Sequence, residues 1–122
     1  DTGATRTVIS SVGEDGLASD LEGVATVGNL YVIVSVQGRS RFAVFDLAAP
    51  NYYWRGSFQV RQLTGSIDSV SGTDGIAWHP GDFGGSFRSG IFLCHDDSNS
   101  GGRNVKATPW ERIAQAMGLD VP

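Results

Sequence analysis

Cysteine is nearly missing from this chain: Cys94 is the only one in 122 residues. That excludes an internal disulfide and any zinc site built on paired cysteines. Its setting, Ile91-Phe92-Leu93-Cys94, predicts a small buried side chain. Basic charge is also scarce, with 9 Lys and Arg against 13 Asp and Glu and a net charge of −4. A general nucleic-acid binder needs a basic stripe to neutralise phosphates, so no nucleic-acid partner is expected. The same surplus of carboxylates suits a hard cation, which takes oxygen ligands. Apolar runs last only a few residues, too short for a membrane-spanning helix, so no membrane partner is expected either. The start, Asp1-Thr2-Gly3, lacks the basic and apolar stretches of a signal peptide; a mature chain, a fragment and a cytosolic protein would all read this way.

Glycine is what the chain has in excess. Seventeen glycines are about twice the usual share, and they follow no collagen-like period. They read as turns between many short strands. Thr5–Ser10 is a first, weak strand, followed by a polar loop. Leu21–Val27, Leu30–Val36, Arg41–Leu47 and Tyr53–Gln62 then form four consecutive strands joined by short turns at Gly28-Asn29, Gln37–Ser40 and Pro50. After a polar stretch the pattern restarts with Asp74–Trp78, Gly90–Cys94 and Asn104–Thr108. The period changes once. Trp110, Ile113, Ala114 and Met117 share one helical face, with Thr108 as N-cap, Pro109 at the first helical position, Glu111 closing a capping box and Gly118 as the stop. The remaining aromatics, Trp54 and Trp78 among them, read as core.

The two halves echo each other. Asp20-Leu21-Glu22-Gly23-Val24 and Thr73-Asp74-Gly75-Ile76 both place acid and glycine where a loop enters a strand. A spacing of roughly 50 residues suits the blade repeat of a β-propeller. Acids that open successive inner strands would converge on one end of the central channel. The expected fold is therefore all-β: two four-stranded antiparallel propeller blades with a short C-terminal helix.

Five segments, in this order, resemble the β-propeller phytases, the alkaline, calcium-dependent 3-phytases. They are S-D-L-E-G-V at 19–24, V-S-V-Q-G-R-S-R-F-A-V-F at 34–45, G-T-D-G-I at 72–76, S-G-I-F-L-C-H-D-D-S-N at 89–99 and N-V-K-A-T-P-W-E-R-I-A at 104–114. The resemblance covers nearly the whole chain and corresponds to the C-terminal third of a six-bladed propeller. It implies an outer strand of a preceding blade with its loop at 1–20, a full blade at 21–65, and the last blade with the helix at 66–122. It implies calcium-dependent hydrolysis of phytate by metal-activated water, in a secreted or periplasmic protein whose signal peptide is not in this chain. The family's substrate-facing lysines and arginines lie in earlier blades.

The resemblance also implies site residues. Asp20, Glu22 and Asp74 would be the catalytic calcium ligands. On an extended segment Asp20 and Glu22, two apart, point to one face, where two carboxylates repel unless a cation lies between them; read alone, they suit a solvated loop equally. Asp74 alone is an Asp-Gly turn residue. Gln37 would bind calcium or substrate through its amide, or merely cap its turn. Asp68, Asp96 and Asn99 would hold a structural calcium, against a plain polar turn. Arg39 and Arg41 are candidates for phosphate from their place in the loop after Gln37 and not from the resemblance, against solvated surface charge. His79 and His95 fall in no R-H-G-x-R-x-P pattern, so the histidine acid phosphatase class is excluded.

Two other readings remain open on sequence: a non-catalytic propeller binding module with structural calcium, and a lectin-like propeller fragment. Open edges on both sides imply that the missing N-terminal blades of the same chain fill them. If the chain is complete, a head-to-tail homo-oligomer, a trimer by blade count, would do so.

Overall fold

The computed structural model describes residues 6–61, 69–97 and 102–122. Seven strands form two antiparallel sheets. The first sheet contains β1 (Leu21–Val27), β2 (Tyr31–Val36), β3 (Arg41–Asp46) and β4 (Trp54–Phe58), in that order. The second contains β5 (Ile76–His79), β6 (Ile91–Asp96) and β7 (Asn104–Pro109). Helix α1 (Trp110–Met117) follows β7 directly. A four-stranded meander, a three-stranded meander and one short terminal helix are the elements expected of propeller blades.

Alternation explains the first sheet. Tyr31, Ile33, Phe42 and Val44 face the second sheet, and Val32, Val36, Ala43 and Phe45 face the opposite way onto Leu17. Both faces of β2 and β3 are thus apolar, which is why Leu30–Val36 reads as an almost unbroken β-branched run. The larger core lies between the sheets, where Phe42, Phe58 and Phe92 meet at centroid distances of 5.1–5.4 Å, with Phe92 edge-on to both others. Cys94 is buried beside it, and burial pushes its thiol up to about 12, so it stays protonated and inert.

The helix forms where its periodicity places it, with Trp110, Ile113 and Ala114 buried and Gly118 in the left-handed conformation as its C-cap. Its start differs from expectation. β7 runs through Thr108 into Pro109, which is itself the N-cap, and no side chain caps the helix. The ladder to β6 holds Thr108 extended opposite Phe92, so it cannot turn to serve the helix. Beyond the helix, Leu119 is buried, the Asp120 N–H donates to the Tyr31 hydroxyl at 2.8 Å, and the Trp110 indole N–H donates to the Asp120 carbonyl at 3.2 Å.

Four other expectations change. Residues 6–10 belong to no strand: a strand exists only through a ladder, and no described residue pairs with them. β4 is shorter than Tyr53–Gln62 and is bulged between Val44 and Phe45 on its partner strand. β6 continues through His95 and Asp96, so these two are ladder residues paired with Val105 and Asn104. Trp54 is exposed instead of core.

Trp110 closes the core against Tyr31 and Trp78, with ring centroids 6.3 Å from each. Trp110→Ala should therefore cost about 3–5 kcal/mol, read as a lowered denaturant midpoint at constant m-value.

Candidate functional site

The sheets share no ladder; they meet where β1 lies against β5 and the loop that enters it. Gly23 explains the closeness. A Cβ there would fall 2.5 Å from the Asp74 carbonyl oxygen and 3.1 Å from the Ile76 nitrogen. Only glycine permits that approach. Side chains of β2 and of the 3-10 turn that follows it (Gln37–Arg39, ending at Ser40) then clamp the 71–75 loop. The buried Ser35 hydroxyl donates to the Thr73 carbonyl at 3.0 Å and meets the buried Thr73 hydroxyl. The Gly72 N–H donates to the Ser40 hydroxyl at 3.0 Å. The Gln37 amide nitrogen donates to Asp74 Oδ1 at 2.6 Å. Backbone bonds complete the arrangement: Gln37 N–H to the Asp20 carbonyl, and His95 N–H to the Gly75 carbonyl, each at 3.0 Å. Asp20, Gln37, Asp74 and His95 therefore gather at one end of the two sheets, as the echo between the halves implies.

Asp20 and Glu22 do not share a face. Asp20 sits at φ 63°, in the left-handed region just before β1, and a bulge interrupts β1 between Leu21 and Val24. Simple alternation fails there. Glu22 lines a groove of about 330 Å³ between residues 7–10 and the outer face of the first sheet, beside Leu21, Val24 and Val34. Among the described residues no three His, Cys, Asp or Glu side chains come close enough to hold a metal ion. Arg39 and Arg41 line a different, open groove of about 670 Å³ with Trp54, Ser57 and Gln59. Asp68 and Asn99 lie outside the described residues.

Asp96 has partners in the chain. It is fully buried, Lys106 Nζ donates to its Oδ2, and the Ser71 N–H donates to its Oδ1 at 3.1 Å. Neighbouring Asp97 pairs with Arg103 at 2.7 Å. Lys106 stands on β7 between exposed neighbours and is itself buried opposite Cys94, whereas Val105 is 65% exposed. The signal that could have found it is an acid, Asp96, on the strand paired with β7.

His95 falls in no R-H-G-x-R-x-P pattern, yet its ring stands beside a candidate ligand. Its Nδ1 is buried, has no hydrogen-bond partner among the described residues, and lies 3.7 Å from Asp74 Oδ2. Asp74 thus has one carboxylate oxygen held by Gln37 and the other facing an imidazole.

A family model described as Phytase matches residues 1–122. A curated relative, the 3-phytase of Bacillus subtilis (strain 168), is 30% identical over 125 residues, which cover 95% of this chain and 32% of that protein. The chain thus spans 32% of the length of that relative.

Two substitutions probe this region. Gly23→Ala must push β1 from the Asp74 backbone; overpacking should cost about 1–3 kcal/mol and shift the amide resonances of residues 72–76. Lys106→Met leaves a buried, uncompensated carboxylate and should cost about 3–5 kcal/mol, whereas adding Asp96→Leu should recover much of the loss. Equal stability of the single and double variants in urea would contradict the second expectation.

Proposed function

Because the chain belongs to the phytase family, we propose that it is the C-terminal part of a calcium-dependent phosphomonoester hydrolase acting on phytate. The carrying observation is the Gln37–Asp74 bond, which joins the two sheets at the end where Asp20 also lies. The oxygen donors there, the Asp74 and Asp20 carboxylates and the Gln37 amide, are the chemistry that calcium takes. Glu22, which lines the outer groove, is not part of this set. With so few ligands in this stretch, the remaining donors and the cationic phosphate contacts come from outside it: from earlier blades of the same chain or from further copies in a trimer. The secretory setting of such an enzyme follows the same reading.

When bound, calcium screens the clustered phosphates of phytate and activates water for attack on phosphorus. The chain's own residues have positioning work. Gln37 fixes the rotation of the Asp74 carboxylate from the first sheet, and Ser35 and Ser40 fix the loop that carries it. Gly23 permits the loop that carries Asp74 to sit close to β1. Arg39 and Arg41 are available to phosphate in their own groove.

The second reading is a non-catalytic blade pair with calcium for structure. What favours it is that the groove lined by Arg39 and Arg41 does not include Asp74.

Phosphate release from phytate by the full-length protein decides between them. Activity should appear with calcium, vanish with chelator and return on readdition. Asp74→Asn should raise the calcium needed for half activity by about 10–100-fold. A folded full-length protein that releases no phosphate at any calcium concentration would leave only the binding-module reading.

A further inference from the structure

The His95–Asp74 contact goes beyond that function. The imidazole Nδ1 is buried without a hydrogen-bond partner among the described residues, an expensive state for a polar atom. Its nearest charged neighbour, Asp74 Oδ2, is 3.7 Å away, too far for a hydrogen bond. The separation does suit two ligands of one ion. Ligands about 2.1 Å from a metal and about 110–120° apart are separated by roughly 3.4–3.6 Å. Both atoms are held there. His95 is a ladder residue of β6, anchored by its N–H to Gly75, and Asp74 is fixed through its other oxygen by Gln37.

A nitrogen donor changes which ion the position prefers. Calcium takes oxygen ligands, whereas imidazole suits zinc, nickel and copper. We propose that His95 and Asp74 form a mixed nitrogen–oxygen pair that binds zinc-class divalent ions, in competition with calcium at the Asp74 carboxylate. His95 is thereby a metal-specificity residue. With two protein ligands, one fewer than an open catalytic zinc site carries, water or phosphate oxygens complete the coordination of the ion. The competition with calcium rests on the proposed function; the zinc pair itself rests on the His95–Asp74 geometry.

The test is direct binding of zinc to the full-length protein by calorimetry, without phytate. His95→Gln, close in size to the imidazole, should weaken zinc binding by at least about tenfold and move the calcium isotherm by less than about threefold. Asp74→Asn should weaken both ions. His79→Gln should change neither, because His79 is exposed and its Nδ1 lies 2.7 Å from the Pro80 carbonyl. In the wild-type protein, zinc should shift the His95 imidazole nitrogen resonances, a readout that needs no variant to fold. Identical zinc isotherms for wild type and a folded His95→Gln, or saturation with zinc that leaves the His95 ring unmoved, would overturn the assignment. The two proposals fail separately. Zinc binding through His95 in a protein that hydrolyses no phytate upholds the pair and removes the enzyme reading; calcium-dependent hydrolysis with no zinc effect on His95 does the opposite.

Discussion

The close approach of β1 to the strand entry at Asp74 is the constraint on which the rest depends. Two sheets without a shared ladder can hold a fixed relation only through packing and side-chain bonds. Here a residue with no side chain, Gly23, lets the backbones meet, and hydroxyls and an amide then fasten the loop. Each such bond adds about 1 kcal/mol net. Their more important effect is directional, because buried polar groups tolerate few alternative partners. The carboxylate of Asp74 inherits its orientation from this seam.

The buried ion pair of Asp96 and Lys106 acts on the same loop from the opposite side. Its Coulomb energy is offset by desolvation, so it adds little net stability. Asp96 nevertheless also accepts from the Ser71 backbone, and the Asp97 N–H donates to the Ser71 carbonyl at 3.1 Å. The 71–75 loop is therefore gripped at its start by β6 and along its length by the first sheet. An apolar pair in place of Asp96 and Lys106 would fill the volume and lose the acceptor that holds Ser71.

Much of this was legible in the sequence, for identifiable reasons. β2 and β3 are apolar on both faces, so their strands needed no knowledge of orientation. The helix has a different period and a glycine stop, which show its face and its end. Acid and glycine at both strand entries pointed to Asp20 and Asp74 at one end. What failed was the expectation that Asp20 and Glu22 share a face, because the bulge in β1 breaks alternation and sends Glu22 to the outer groove. Lys106 sits on the buried face of β7 beside Asp96, a pairing across strands that the order of residues does not show. Residues 6–10 have strand composition, but composition does not supply a partner. His95 was weighed only against the histidine acid phosphatase pattern; its distance to Asp74 is what distinguishes it from His79.

The bond between the Tyr31 hydroxyl and the Asp120 N–H joins residues 89 apart, and the same tail residue accepts from Trp110. A contact of that span has a consequence for the order in which the chain assembles. The hairpin of β2 and β3 is local and can form early, but its inner face stays uncovered until the last residues of this region are available. Loop closure over such a distance is costly and comes late in folding. During synthesis, the first sheet would therefore keep Tyr31 and its aromatic neighbours exposed longest, the stage at which such a stretch is most prone to aggregate.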